Sequence, residues 1–235
     1  MYQVYKYLVY VPWLLLWTAL NFLGVVLVAP FSPRKASRWF GGMWGRGLFR
    51  VVPARLQILG AENLDQGASY IVVANHLSLI DIPILYGWLK LDLKWVMKKE
   101  LRKMPFIGPA CALMGHIFLD RSDREAALGT LREVKSSLLP GTSILFFPEG
   151  TRSRDGRLRG FKMGAFLMAH DLDLPVLPVT IRNADKILTP DGMDLHPGSA
   201  QMIIHPPIDV DQVRASSPED LRDRARDIIA SELDQ

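Results

Sequence analysis

Apolar residues follow three rhythms along this chain. Between positions 7 and 33 they run almost unbroken, and no charged residue occurs. At about 1.5 Å of rise per residue, a helix of that length reaches across a hydrocarbon core. Trp13 and Trp17, with Tyr2, Tyr5, Tyr7 and Tyr10 nearby, are residue types that favour a membrane–water interface. A signal peptide is disfavoured: the run is too long, and Pro30 after the small Ala29 is a poor cleavage context. Positions 34–51 switch to a helical rhythm. Trp39, Phe40, Met43, Trp44, Gly47 and Leu48 fall on one side, while Arg34, Lys35, Arg38 and Arg46 cluster on the other. A basic amphipathic helix of this kind lies in the interface plane. Two geometries remain open: a first segment that crosses the bilayer, or a two-helix hairpin dipping into one leaflet.

After Pro53 the third rhythm begins, short apolar runs alternating with helical periods. Strands are expected over 55–59, 70–74, 93–97, 116–120, 143–147, 176–181 and 201–208. Several are continuous Val/Ile/Leu/Phe runs, the signature of strands buried on both faces. Helices are expected over 79–88, 105–114, 123–139, 161–170 and 218–233. The third has a capping box in Ser122 and Glu125, and Pro140-Gly141 ends it. The pattern predicts membrane-anchoring helices over 1–52. It predicts an α/β domain over 53–235, with a mostly parallel sheet flanked by helices.

Charge sharpens this picture. The formal net charge of the 235 residues is only +4, but it is unevenly spread. Arg34, Lys35, Arg38, Arg46, Arg50 and Arg55 precede the first acid after them, Glu62. A basic stripe beside an apolar anchor suits an anionic membrane surface and puts the domain on the cytoplasmic face of the cell membrane. No nucleic-acid motif follows the stripe, so nucleic acid is not expected as a partner. The single cysteine, Cys111, excludes an intramolecular disulfide and a cysteine-based metal site. The histidines lack ligand spacing, and no metal is expected.

Two strings carry candidate chemistry. In Asn75-His76-Leu77-Ser78-Leu79-Ile80-Asp81 a histidine and a carboxylate stand five positions apart, after a strand. A carboxylate on one imidazole nitrogen fixes the tautomer and leaves the other nitrogen to take a proton. Asn75 is placed to hold the loop. The alternative is a histidine that only packs or caps. In Phe147-Pro148-Glu149-Gly150-Thr151-Arg152-Ser153, Gly150 permits close approach of an anion and Arg152 suits a phosphate. Glu149 is placed to accept from a substrate hydroxyl. The alternative is a solvated turn. A third string, Gly115-His116-Ile117-Phe118-Leu119-Asp120-Arg121, ends a strand on a cation. Arg121 either joins the phosphate site or pairs with Asp120, Asp123 or Glu125.

These strings, in this order, resemble the motif blocks of the lysophospholipid acyltransferase family. The blocks are NHxxxxD at Asn75–Asp81, the Gly…Arg block at Gly115–Arg121, FPEGTRS at Phe147–Ser153 and a Val-Pro-Val-like block around Pro178. Lys98-Lys99-Glu100-Leu101 and Pro105-Phe106-Ile107-Gly108 also look like family segments. The second block departs mildly, because His116 and Asp120 flank its apolar core. The resemblance covers about 53–210, and its nearest branch makes phosphatidate from lysophosphatidate. It implies that His76, held by Asp81, deprotonates the 2-hydroxyl of lysophosphatidate, which attacks the thioester of acyl-CoA or acyl-carrier protein. Glu149, Gly150, Thr151 and Arg152, with Arg121, would hold the glycerol phosphate, helped by Lys98 or Lys162. The acyl thioester is a co-substrate, and no cofactor is implied. Neither Cys111 nor Ser78 is expected as a nucleophile.

Other classes fit less well. A serine hydrolase needs a G-x-S-x-G elbow, and a nucleotide-binding domain needs G-x-G-x-x-G or a P-loop; the chain has none of these. A non-catalytic membrane adaptor would not need the two loops to converge. Within the family, another lysolipid is the competing acceptor.

Overall fold

The computed structural model describes residues 2–120, 129–130, 139–192 and 194–233. The expected Ser122 cap, nearly all of the helix over 123–139 and Arg121 therefore lie outside the described residues.

The apolar run forms one helix, α1 (Tyr2–Val28), long and apolar enough to cross a membrane. A π-helical turn at Lys6–Tyr10 precedes Pro12, which has no N–H for the helical ladder. After a short turn, Ser32 caps a second helix by accepting the Lys35 N–H, with Pro33 at its first position. This α2 is built from Pro33–Ala36, Ser37–Gly41 and Gly42–Arg50. The two helices form an antiparallel hairpin. Trp13 Nε1 donates to Gly47 O at 2.9 Å, Trp17 Nε1 to Met43 O at 3.3 Å, and Trp44 Nε1 to Thr18 Oγ1 at 3.0 Å. The expected interface tryptophans therefore face the partner helix. Their indole N–H groups find acceptors on the partner helix that lipid tails lack.

The sheet contains β1 (Ala54–Leu59), β2 (Ile71–Ala74), β3 (Asp92–Lys98), β4 (Ile117–Leu119), β5 (Thr142–Phe146), β6 (Val176–Arg182) and β7 (Gly198–Ile204). Its order is β1-β7-β6-β2-β5-β3-β4, and β6–β7 is the antiparallel pair. The described helices after the hairpin are α3 (Asp81–Trp88), α4 (Ile107–Leu113), α5 (Gly164–Leu172), α6 (Ala184–Ile187), α7 (Val210–Ala215) and α8 (Pro218–Ala230). The mostly parallel sheet flanked by helices is the architecture expected from the sequence. The last strand stops earlier than expected because Pro206 and Pro207 cannot donate to a ladder. Helix α7 carries a capping box of Asp209 and Gln212 that the hydrophobic pattern did not reveal.

Alternation along the central strand divides the core. Tyr70, Val72 and Ala74 pack toward Ile84, Leu85 and Leu89 of the α3 side, where Tyr10, Phe49 and Val52 join them. Ile71 and Val73 pack toward Phe166 and Ala169 of α5 and Leu221, Ala225 and Ile229 of α8. The hairpin thus lies along one face of the α/β layer. Lys6 Nζ donates to Gly192 O at 2.8 Å near one end, and Arg34 Nη1 to Pro140 O at 3.0 Å near the other.

The amphipathic reading of α2 needs correction. Leu48 is buried, Arg46 Nη1 donates to Gly87 O at 2.8 Å, and the Trp44 ring meets Tyr86 edge-on. Part of the apolar side of α2 is covered by protein, while Trp39 and Met43 remain exposed. Leu8, Leu15, Leu23 and Leu27 on α1, with Phe31 at the tip, instead point outward, and Phe31 is 90% exposed. This unpartnered apolar stripe fits association with a membrane.

The hairpin is seated through small residues. A Cβ on Gly45 would stand 2.5 Å from Pro83 O and 2.8 Å from Gly87 N, so the helices α2 and α3 meet backbone to backbone. Gly45→Val should push the hairpin off α3 at a cost of about 1–3 kcal/mol, the usual size of an overpacking penalty. A thermal melt of the full chain in detergent checks this, with an unchanged midpoint as the contrary result.

Candidate active site

The functional loops leave the C-terminal ends of β2, β3 and β5, which is where α/β sheets collect their ligands. The first is pinned at Asn75. Its side-chain amide donates to Ile181 O at 2.8 Å and its Oδ1 accepts the Ile181 N–H at 2.7 Å. The expected loop-holding role is thus visible, exerted across to β6. The loop then wraps around Asp81, the first residue of α3, whose carboxylate is fully buried. Asp81 Oδ2 lies 2.8 Å from His76 Nδ1 and accepts the N–H groups of Leu77 at 2.7 Å and Ser78 at 2.8 Å. A carboxylate at this position holds the proton on Nδ1 and leaves Nε2 as the basic nitrogen. Ser78 Oγ donates to Leu188 O at 2.6 Å, so this hydroxyl is a structural tie.

The second loop closes over the first. Ser153 N donates to His76 O at 2.9 Å. The Phe147 ring stacks on the His76 imidazole, with centroids 4.0 Å apart and planes 18° apart. Glu149 lies elsewhere than expected. It is 4% exposed, and its two oxygens accept the N–H groups of His76 at 2.8 Å and Arg159 at 3.0 Å. The carboxylate braces the two loops and does not face a substrate hydroxyl. Burial raises its pKa, opposed by the two backbone bonds. Gly150 turns with φ +77°, and a Cβ there would come within 2.7 Å of Lys162 Nζ.

Between these loops lies a cleft of about 410 Å³ lined by His76, Lys98, Phe147, Gly150, Thr151 and Arg152. The structure thus gathers five sequence-predicted residues on one surface: His76, Lys98, Gly150, Thr151 and Arg152. Asp81 stands directly behind. Arg152 Nη1 donates to Pro190 O at 2.5 Å, which anchors one side of its guanidinium. Lys98 is exposed at the rim, 3.4 Å from Glu100.

A second, narrow and apolar cavity lies between the hairpin, α3 and α4. Phe22, Val25, Phe40, Ile107 and Met114 line it, and Trp95 belongs to both cavity and cleft. Cys111 is in its wall, and burial pushes this thiol up to about 12, so it is no nucleophile near neutrality. His116 is in the same wall. Burial, reinforced by Lys94, holds its pKa down to about 3 and keeps the imidazole neutral. No local pattern pointed to Trp95 or Phe147, and the one signal for His116 was its polarity inside an apolar motif block.

The residues of this site fall within a known family. The acyltransferase family model matches residues 55–182. A chloroplast 1-acyl-sn-glycerol-3-phosphate acyltransferase of Arabidopsis thaliana is 35% identical over 92% of this chain, which spans 60% of that protein. The 1-acyl-sn-glycerol-3-phosphate acyltransferase of Borreliella burgdorferi is 30% identical over 85% of this chain and 76% of its own length. The crystal structure of the 1-acyl-sn-glycerophosphate acyltransferase PlsC from Thermotoga maritima superposes with a TM-score of 0.74. It is 30% identical and covers 94% of each chain. The chain belongs to the acyltransferase family. It spans between 51% and 60% of the plant and algal relatives it matches.

The brace can be tested without substrate. Glu149→Gln puts an amide NH₂ against one of two backbone N–H groups, so one buried bond is lost. The expected cost is about 1–3 kcal/mol. Chemical denaturation checks this, and a variant as stable as the parent would remove Glu149 from the loop architecture.

Proposed function

We propose that this protein transfers a fatty acyl group from an acyl thioester to the 2-hydroxyl of lysophosphatidate, giving phosphatidate. The observation that carries the reading is the convergence of the Asp81–His76 pair with Arg152 and the Gly150 turn on one cleft. His76 Nε2 takes the proton of the 2-hydroxyl as its oxygen attacks the thioester carbonyl. The tetrahedral intermediate collapses with loss of the thiolate, which takes that proton from the imidazolium. The products are an ester and a free thiol, and no acyl-enzyme is required. Asp81 stabilises the imidazolium formed in between. Arg152, Lys98 and Thr151, with the Gly150 backbone, face the acceptor phosphate. The apolar cavity beyond Trp95 suits an acyl chain. The donor is acyl-CoA or acyl-carrier protein, and the exposed cations Lys99, Arg102 and Lys103 near the cleft suit the anionic groups of either.

The hairpin works as a single-leaflet anchor on the cytoplasmic face of the cell membrane. A hairpin bonded to the domain through Lys6 near its start and Arg34 near its tip favours lying along the interface over crossing it. Its outward leucines enter the leaflet, and Lys35 and Arg38 meet anionic headgroups. Lysophosphatidate then reacts without leaving the bilayer, avoiding about 0.8 kcal/mol per extracted CH₂.

His76→Ala should lower the turnover number by ~10²–10⁴ without loss of fold. Arg152→Ala should raise the acceptor KM, at a cost of about 1.5–3 kcal/mol, and leave the donor KM near its original value. Steady-state kinetics with each substrate varied in turn decides both points. A folded His76→Ala protein with normal turnover sinks the base. A rise confined to the donor KM moves Arg152 to the donor side.

For the anchor, the combined Leu15→Glu, Leu23→Glu and Leu27→Glu substitutions alter outward positions only. The variant should remain folded yet stay in the supernatant when anionic vesicles are pelleted. Full cosedimentation with the vesicles would exclude this face as the docking surface.

A further inference from the structure

Two series of aromatic contacts, joined by a hydrogen bond, link the hairpin to His76. Trp44 meets Tyr86 edge-on at 6.4 Å, and Tyr86 meets His116 edge-on at 5.8 Å. Trp95 meets Phe147 edge-on at 6.3 Å, and Phe147 stacks on His76 at 4.0 Å. The joint between the two halves is polar. Trp95 N donates to His116 Nδ1 at 3.0 Å, and Tyr86 Oη lies 3.1 Å from His116 Nε2. A backbone N–H can only donate, so Nδ1 is unprotonated and the proton of the neutral ring is on Nε2, directed at Tyr86.

The register explains why an imidazole is needed at this point. Trp95 is the last residue of β3 paired with β5, and Val96 is the first paired with β4, opposite Ile117. His116 immediately precedes that ladder, and its side chain supplies an acceptor for the Trp95 N–H. The Trp95 ring stands where the catalytic cleft and the apolar cavity share a wall. Fixing its backbone fixes both the partition and the edge that backs Phe147 against His76.

We propose that His116 is a positioning residue for acyl transfer, holding Trp95 as the partition between cleft and cavity and, through Phe147, setting the orientation of His76. This rests on the reading of the cleft as an acyl-transfer site. His116 touches no reacting atom in this scheme.

The test compares three variants of the full chain in detergent: His116→Leu, His116→Asn and His116→Gln. The Asn oxygen reaches the place of Nδ1 and can still accept the Trp95 N–H. The Gln oxygen reaches the place of Nε2 and leaves that N–H unpaired, with polarity retained. Hydrogen exchange at the Trp95 amide and steady-state kinetics on lysophosphatidate are read in parallel. In the Leu and Gln variants, Trp95 exchange should rise at least about 10-fold, and the turnover number should fall about 10–100-fold, the size of effect expected from a small misplacement. The acceptor KM should stay within about twofold. The Asn variant should recover most of both losses. If the Leu variant does not fold, the Asn and Gln pair carries the same contrast.

A faster-exchanging Trp95 with undiminished turnover overturns the link to catalysis. Unchanged Trp95 exchange overturns the clamp, and an Asn variant no better than Gln overturns the acceptor role of Nδ1. Wild-type protein that acylates no lysophosphatidate overturns the underlying reading, and is distinguishable because Trp95 exchange still answers for the clamp.

Discussion

One buried oxygen organises the loop that carries His76. Asp81 Oδ2 takes two backbone N–H groups and the His76 ring, all within 2.8 Å. A carboxylate with no exposure needs donors that replace its lost hydration. The two amides supply part of that replacement, on Oδ2 and not on the buried Oδ1, and at the same time curl residues 76–81 into a loop, which aims the imidazole. Fold and chemistry therefore depend on the same contacts. The five-position spacing between His76 and Asp81 is the length of chain that lets one carboxylate reach both the ring and the intervening amides. Glu149 repeats this device one loop away, spending its oxygens on His76 N and Arg159 N and thereby fixing the second loop to the first.

The hairpin adds a constraint from the other side. Its inner face is cut with glycines, so Trp17 fits over Gly47 and Phe40 over Gly24, and Gly45 meets Gly87 across to α3. Such contacts need no hydrophobic driving force and survive where one face of the pair is in lipid. The apolar cavity is walled by this hairpin on one side and by α3 and α4 on the other. The anchoring segment therefore also contributes to the shape of the site, and Tyr10, Phe49 and Val52 share a core with the sheet.

Much of this was legible in the sequence, for physical reasons that also mark where reading stopped. Doubly buried strands announce themselves as apolar runs, and β2 and β5 lie where those runs fall, with ends displaced by a residue. His76, Asp81 and Arg152 could be singled out because the roles proposed for them need particular chemical groups at particular spacings. Glu149 was misjudged because a carboxylate bound to two backbone amides looks, in sequence, like one awaiting substrate. The α2 helix was legible only in part, because helical periodicity identifies an apolar face without saying how much of it protein covers. Trp44 and Arg46 are both turned toward the protein. Trp95, Phe147 and His116 depend on strand register and ring packing, neither of which has a local signature. Arg121 lies outside the described residues.

The central claim is that the Asp81–His76 cleft makes phosphatidate. The most direct measurement places the full chain in anionic vesicles with a labelled acyl thioester and, separately, lysophosphatidate or lysolipids whose phosphate carries a headgroup. Mass spectrometry of the products then locates the new chain. The account predicts acylation of the 2-oxygen of lysophosphatidate at a rate well above that of any headgroup-bearing acceptor. An equal or greater rate with a headgroup-bearing lysolipid, or no transfer to lysophosphatidate at all, would contradict it.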